Sequence, residues 1–171
     1  MLRLLIVLLS LGAAACATTG HTPQPFPRPG GLPSPPGTPA PPVSVTASPA
    51  DGYVLTGTAL ALRGAPYRNG GADPSGFDCS GFVAYVFAQN GISMPRTVAE
   101  QYRVGKDVNA QGLEPGDLVF FSTTGAGPSH VGIAVGGDEF VHAPSSAGEV
   151  RVERLGASYW AGRFVGARRI I

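Results

Sequence analysis

The stretch Asp73-Pro74-Ser75-Gly76-Phe77-Asp78-Cys79-Ser80-Gly81-Phe82-Val83-Ala84-Tyr85-Val86-Phe87-Ala88-Gln89-Asn90-Gly91 holds a loop, a helix and a stop, in that order. Pro, Ser and Gly open it, and Asp78 stands where a helix needs a side-chain acceptor for its first free N–H groups. Phe82, Val83, Val86 and Phe87 recur at helical spacing, and Asn90-Gly91 is a C-terminal stop. The helix therefore starts at Cys79. A thiol in a first helical turn meets unpaired backbone N–H groups and the positive end of the helix dipole, which favour the thiolate and predict a depressed pKa. The competing role for Cys79 is that of a small buried hydrophobe.

Downstream, Leu113-Glu114-Pro115-Gly116-Asp117 is a turn signal. It is followed by short apolar runs bounded by Gly, Pro or Ser: Leu118 to Phe121, His130 to Gly136, Glu139 to His142 and Val150 to Glu153. These read as strands. Gly136-Gly137-Asp138 is short enough to make the second and third a hairpin, which puts His130 and His142 on adjacent antiparallel strands and within reach of one face. A Cys, a His and a third polar group form the arrangement that activates a thiol: one imidazole takes the proton and the third group holds that imidazole in the right tautomer. The alternatives are a structural role for each His at a strand end, and a zinc site, for which one Cys and two His without HExxH or CxxC spacing are a weak pattern. Between helix and strands, Thr97-Val98-Ala99-Glu100 is a capping-box pattern, predicting a short helix from Thr97 towards Val104 with Gln101 and Tyr102 at the cleft or on the surface.

Upstream the composition changes. Of the 171 residues, 17 are Pro, and 11 of these fall between Pro23 and Pro49, where Arg28 is the only charge. Such a stretch cannot bury a core. Residues 51–171 remain as one domain, which at about 120 residues can fold without disulfides or a structural metal. It carries 10 basic and 11 acidic side chains, no reservoir of positive charge for phosphates, so nucleic acid is excluded as a partner. The cluster Arg163, Arg168 and Arg169 is expected on a solvated strand, with an anion site as the alternative.

Residues 1–15 read as a signal peptide: Arg3 precedes a 12-residue apolar run, Leu4 to Ala15, too short for a bilayer of about 30 Å hydrocarbon thickness. Leu11-Gly12-Ala13-Ala14-Ala15-Cys16 resembles a bacterial lipoprotein box, with Ala13 where Leu is usual. An ordinary small-residue cleavage site is the alternative. Lipidation of Cys16 is the expectation, with residues 16–50 as a disordered Pro-rich tether. Cys79 is then the only free thiol in an exported protein, in a compartment where unpaired thiols are normally avoided.

Together these motifs resemble the NlpC-type family of bacterial cell-wall cysteine peptidases: Tyr67-Arg68-Asn69-Gly70-Gly71, Gly76-Phe77-Asp78-Cys79-Ser80, Pro95-Arg96-Thr97, Leu113 to Phe121, His130-Val131-Gly132-Ile133, Phe140-Val141-His142-Ala143 and the closing Tyr159-Trp160 with Arg163 to Arg169. The resemblance implies a papain-like α+β fold, with amino-terminal helices, the catalytic Cys at a helix start, packed on an antiparallel sheet of about five or six strands. It implies Cys79 as nucleophile, His130 as general base and then acid, and His142 as the orienting third member. It also implies Tyr67, Asp78 and Ser80 as substrate-binding residues, although Asp78 already serves as a helix cap, Ser80 is compatible with a plain first-turn residue and Tyr67 with a loop anchor. No cofactor and no metal is expected.

The function implied is a peptidoglycan endopeptidase acting on stem peptides through a thiol acyl-enzyme, with the γ-D-glutamyl-diaminopimelate bond first and the D-alanyl-diaminopimelate cross-link second. An amidase or acyltransferase with the same triad, and a non-catalytic wall-binding lipoprotein, are the alternatives. The protein is expected to be a monomer without a separate wall-binding domain. Its expected place is a bacterial membrane, lipid-anchored and facing the wall, on the periplasmic or outer-membrane side if the host has two membranes.

Overall fold

A computed structural model describes residues 52–171. The expected signal peptide, Cys16 and the Pro-rich tether lie outside the described residues. The described residues begin with helix α1 (Gly52–Ala61), then a small ribbon of β1 (Ala72–Asp73) and β2 (Gly76–Phe77), then helix α2 (Cys79–Gln89) and the short α3 (Val98–Gln101). After β3 (Lys106–Val108) come β4 (Leu118–Phe121), β5 (His130–Gly136), β6 (Glu139–His142), β7 (Arg151–Arg154), helix α4 (Ser158–Ala161) and β8 (Phe164–Arg169). The six long-range strands form one antiparallel sheet in the order β3-β8-β4-β5-β6-β7. The fold is α+β, as expected.

Helix α2 takes the bounds its caps dictate. Asp78 accepts from the Gly81 N–H at 2.7 Å, and Asn90 caps the other end ahead of Gly91, whose φ of +76° suits glycine. Its buried face, Phe82, Val83, Val86 and Phe87, packs with Leu55 and Ala59 of α1 on Leu118, Phe120, Val131, Ile133 and Val141 of the sheet. Strands alternate faces, so Val119, Phe121, Ala134, Phe140 and Ala167 point the other way, where Trp160 of α4 covers them. Helix α4, on the face away from α1 and α2, has four residues and offers no helical period to read.

Three expectations are corrected. Arg168 and Arg169 are not on a solvated strand: β8, which carries them, lies inside the sheet between β3 and β4, while Arg163 precedes it and donates to the Tyr159 carbonyl at 2.7 Å. Arg169 grips the buried Asp117 by two contacts of 2.8 Å, and Arg168 donates to the Tyr102 carbonyl at 2.6 Å. Gln101 is neither at the cleft nor on the surface. It is fully buried, and its side chain donates to the carbonyls of Ser80 and Pro95 at 3.0 and 2.7 Å. Tyr102 is likewise structural, its ring edge-on to Phe120 and its hydroxyl bonded to the Val165 carbonyl. The capping box at Thr97 forms as read, but the helix it starts stops at Gln101, short of Val104.

Candidate active site

Cys79 is the first residue of α2 and half-buried. Its thiol lies among backbone N–H groups, those of Val131, Ser80 and Cys79 itself, each of which favours the anion. Burial outweighs them, and the adjacent Asp78 carboxylate adds to it, so the thiol pKa is pushed up. That reverses the expected depression. The sequence showed the helix start but not the desolvation around it.

His130 and His142 come together as the hairpin required. The register pairs Ile133 with Val141, so Gly132 stands one step on, opposite His142, and His130 is the diagonal neighbour on the same face. Gly132 leaves the space between them open. A Cβ there would lie 2.7 Å from the Phe140 ring and 3.1 Å from the His142 Cβ. The rings meet across that gap, His130 Nε2 to His142 Nδ1 at 2.7 Å, nearly perpendicular at 86°. Both are buried, and burial lowers their pKa values, to about 4 for His130 and about 2 for His142, the latter also through His130 and Arg151. Both imidazoles are therefore neutral at neutral pH.

The two histidines share the sheet face that carries Trp160, which stacks on His130 at 5.5 Å and 25°. Helix α2 packs on the other face. The thiol reaches β5 at the backbone of Val131, next to His130, so Cys79 and the imidazole pair converge on the start of that strand.

Tyr67, Asp78 and Ser80 are gathered around the same helix start. The Tyr67 phenol pKa is raised, first by burial and then by proximity to Cys79 and Asp78, while its N–H is anchored on the Gly148 carbonyl at 2.7 Å. Asp78 and Ser80 are both engaged by a residue not singled out from the sequence. Arg96 donates to Asp78 through Nη1 at 3.0 Å and Nη2 at 2.6 Å, and to the Ser80 hydroxyl at 2.9 Å. Burial works to raise the Asp78 pKa, but hydrogen bonds from Arg96 and Gly81 hold it below the usual carboxylate value. Pro95-Arg96-Thr97 was visible in the sequence, but nothing in its spacing pairs Arg96 with a residue 18 positions away.

Glu153 and Trp160 join the site without a local sequence signal for that role. Trp160 Nε1 donates to Glu153 Oε2, the same oxygen that lies 3.6 Å from His142 Nε2. A cavity of about 140 Å³ opens beside His130, lined in part by Thr123, Pro144 and Trp160. It shares Ser146, Tyr159 and Trp160 with a larger one of about 420 Å³ that reaches Glu153 and Arg154.

A family model described as the NlpC/P60 family matches residues 64–169. The chain is 39% identical over 121 residues to the gamma-DL-glutamyl hydrolase of Bacillus subtilis, covering 68% of this chain and 29% of that protein. It is 41% identical over 110 residues to the murein DD-endopeptidase MepS/murein LD-carboxypeptidase of Escherichia coli, covering 64% and 57% respectively. The chain thus spans well under two thirds of either relative. Among solved structures, an NlpC/P60 family protein from Bacillus cereus superposes with a TM-score of 0.64 at 34% identity, covering 67% of this chain and 38% of that one.

Proposed function

The chain belongs to the NlpC/P60 family, and on that premise we propose that it is a cysteine peptidase that hydrolyses peptidoglycan stem peptides through Cys79, His130 and His142. One observation carries the reading: a buried, neutral imidazole pair at 2.7 Å converges with a free thiol on the start of one strand. A non-catalytic binder has no use for that arrangement.

His130 Nε2 is occupied by His142, which leaves Nδ1 to take the thiol proton. With thiol and imidazole both neutral at rest, the ion pair forms as the reaction proceeds, when His130 accepts the proton and Sγ attacks the peptide carbonyl carbon. Charge develops on the carbonyl oxygen. The N–H of Cys79, at the first position of α2, is the backbone donor suited to it. The C–N bond then breaks as His130 returns the proton to the leaving amine, giving a thioester. Water, deprotonated by His130, attacks the thioester, and collapse of the adduct frees the acid and restores the thiol. The cavity of about 140 Å³ beside His130, continued by the larger one that shares Ser146, Tyr159 and Trp160 with it, gives the leaving half of the substrate room. Tyr67, Asp78 and Ser80 bound the opposite, acyl side.

The γ-D-glutamyl bond to diaminopimelate is the preferred target and the D-alanyl cross-link the second; one relative is named a gamma-DL-glutamyl hydrolase and the other a murein DD-endopeptidase and LD-carboxypeptidase. Asp78 favours the first, since a carboxylate at the acyl side receives the free amine of a trimmed peptide, and its ion pair with Arg96 leaves it ionised. Weighing the products from defined monomeric and cross-linked stem peptides tests this. An L-Ala dipeptide supports the first bond and conversion of dimers to monomers the second, while glycan stripped of whole peptides, or no turnover, overturns the reading. The lipid anchor at Cys16 belongs to the same proposal, resting on the sequence pattern. Cys16→Ala is expected to leave the membrane fraction, and retention there removes the anchor.

A further inference from the structure

The two histidines are the first members of a longer row. Three adjacent strands, β5, β6 and β7, place His130, His142 and Glu153 on one face. Phe140 pairs with Glu153, so Glu153 shares the face of Phe140 and His142. Glu153 Oε2 lies 3.6 Å from His142 Nε2, a fully buried nitrogen with no hydrogen-bond partner of its own. The carboxylate is held there from two sides, by the indole N–H of Trp160 on Oε2 and by Arg151 Nε at 3.2 Å on Oε1. Trp160 also packs edge-on to His142 at 5.0 Å and stacks on His130 at 5.5 Å, so one side chain braces all three.

We propose that Glu153 is a positioning residue for the reaction: it holds the proton of His142 on Nε2 and so sets the direction of the whole imidazole pair. The proposal rests on the thiol-peptidase reading. Two neutral imidazoles joined by one hydrogen bond have two possible polarities. If His142 carries its proton on Nδ1, it donates to His130 Nε2, and His130 must carry its own proton on Nδ1, where it cannot accept from the thiol. If His142 carries its proton on Nε2, its Nδ1 accepts from His130 Nε2–H, and the His130 Nδ1 lone pair is free for Cys79. A carboxylate facing His142 Nε2 selects the second polarity, because an anion next to an N–H is favoured and next to a lone pair is not. It also lies on the side of the pair away from the thiol, so its charge stabilises the imidazolium when His130 takes the proton.

Long-range proton–nitrogen NMR spectra of the full chain labelled with nitrogen-15 histidine read the tautomers directly at neutral pH. Nε2–H on both His130 and His142 is expected, and Nδ1–H on His142 in the wild type overturns the proposal. In Glu153→Ala the spectra should show His142 losing its single tautomer, and kcat/KM on a soluble stem peptide should fall about 30-fold with KM little changed. Glu153→Gln, whose amide oxygen still turns a lone pair towards Nε2–H, should recover a part of that rate and keep the wild-type tautomer. Full activity in Glu153→Ala, or equal losses in the two variants with unchanged tautomers, also overturns it. The expected tautomers in a wild type that cleaves no stem peptide would support the ring orientation and count against the peptidase reading alone.

Discussion

Asp78 acts on Cys79 in two opposed ways. Its carboxylate caps the helix that presents the thiol, and its charge disfavours the thiolate. Asn caps a helix about as well as Asp, so Asp78→Asn separates the two. The thiol pKa should fall, and alkylation of Cys79 by iodoacetamide at neutral pH should run several-fold faster than in the wild type; an unchanged rate would show that burial alone sets the thiol. His130 makes a second prediction at this scale. Its pKa is lowered to about 4 by burial, so it is neutral and able to accept a proton above that value. The acid limb of kcat/KM should lie near pH 4, well below the ordinary histidine value of about 6.5. Stability has the matching sign. The unfolded chain takes up protons below about pH 6.5 that folded His130 and His142 refuse, so stability is complete above that pH. It falls as the pH drops towards 4, by up to about 1.4 kcal/mol per group per pH unit. Denaturant titrations at pH 7, 6 and 5 would measure it.

At the scale of elements, the site depends on how closely the start of α2 sits on the loop before it. Asp78 N–H donates to the Gly71 carbonyl at 3.0 Å, and a Cβ on Gly81 would stand 2.0 Å from that same oxygen. No side chain fits there without moving backbone. Gly81→Ala should therefore cost about 1–3 kcal/mol by overpacking, although alanine is by itself the better helix former. Because the strain lands on the turn that carries Cys79, any cleavage of a soluble stem peptide should fall with the melting temperature. A stable variant with full activity would show that the helix start tolerates displacement. Gly132 acts similarly in the sheet, admitting the two imidazoles to one gap.

Across the whole domain, the last strand closes the sheet. Strand β8 inserts between β3 and β4, and its Arg169 reaches Asp117, which is 1% exposed, and also Glu114 at 3.0 Å. Asp117 in turn accepts from the Glu114 N–H at 2.8 Å, fixing the turn that leads into β4. Asp117→Ala removes a buried acceptor from both at once and should lower the unfolding free energy by about 2 kcal/mol. Thermal unfolding would record this, and a variant as stable as the wild type would mean that β8 is held by its apolar contacts alone. The imidazole pair is on neighbouring strands of the same sheet, so the variant should keep its activity at temperatures where it remains folded.

Caps, periods and turns acted locally, and these were legible in the amino-acid order. Asp78 and Asn90-Gly91 bounded α2, Gly136-Gly137-Asp138 made the hairpin, and the hairpin brought His130 and His142 together, because each depends on residues a few positions apart. The family and an antiparallel sheet of about five or six strands followed from motifs in series; packing set the number at six. What tertiary structure alone decided depends on residues distant in sequence or on solvent exclusion. Arg96 finds Asp78 across 18 positions, β8 finds its slot beside β4, and Trp160 folds over His130 from a four-residue helix. The pKa of Cys79 is the sharpest instance. The helix start that favours the thiolate is a local feature, whereas the burial that overrides it exists only once the sheet and helix have packed and water has been removed.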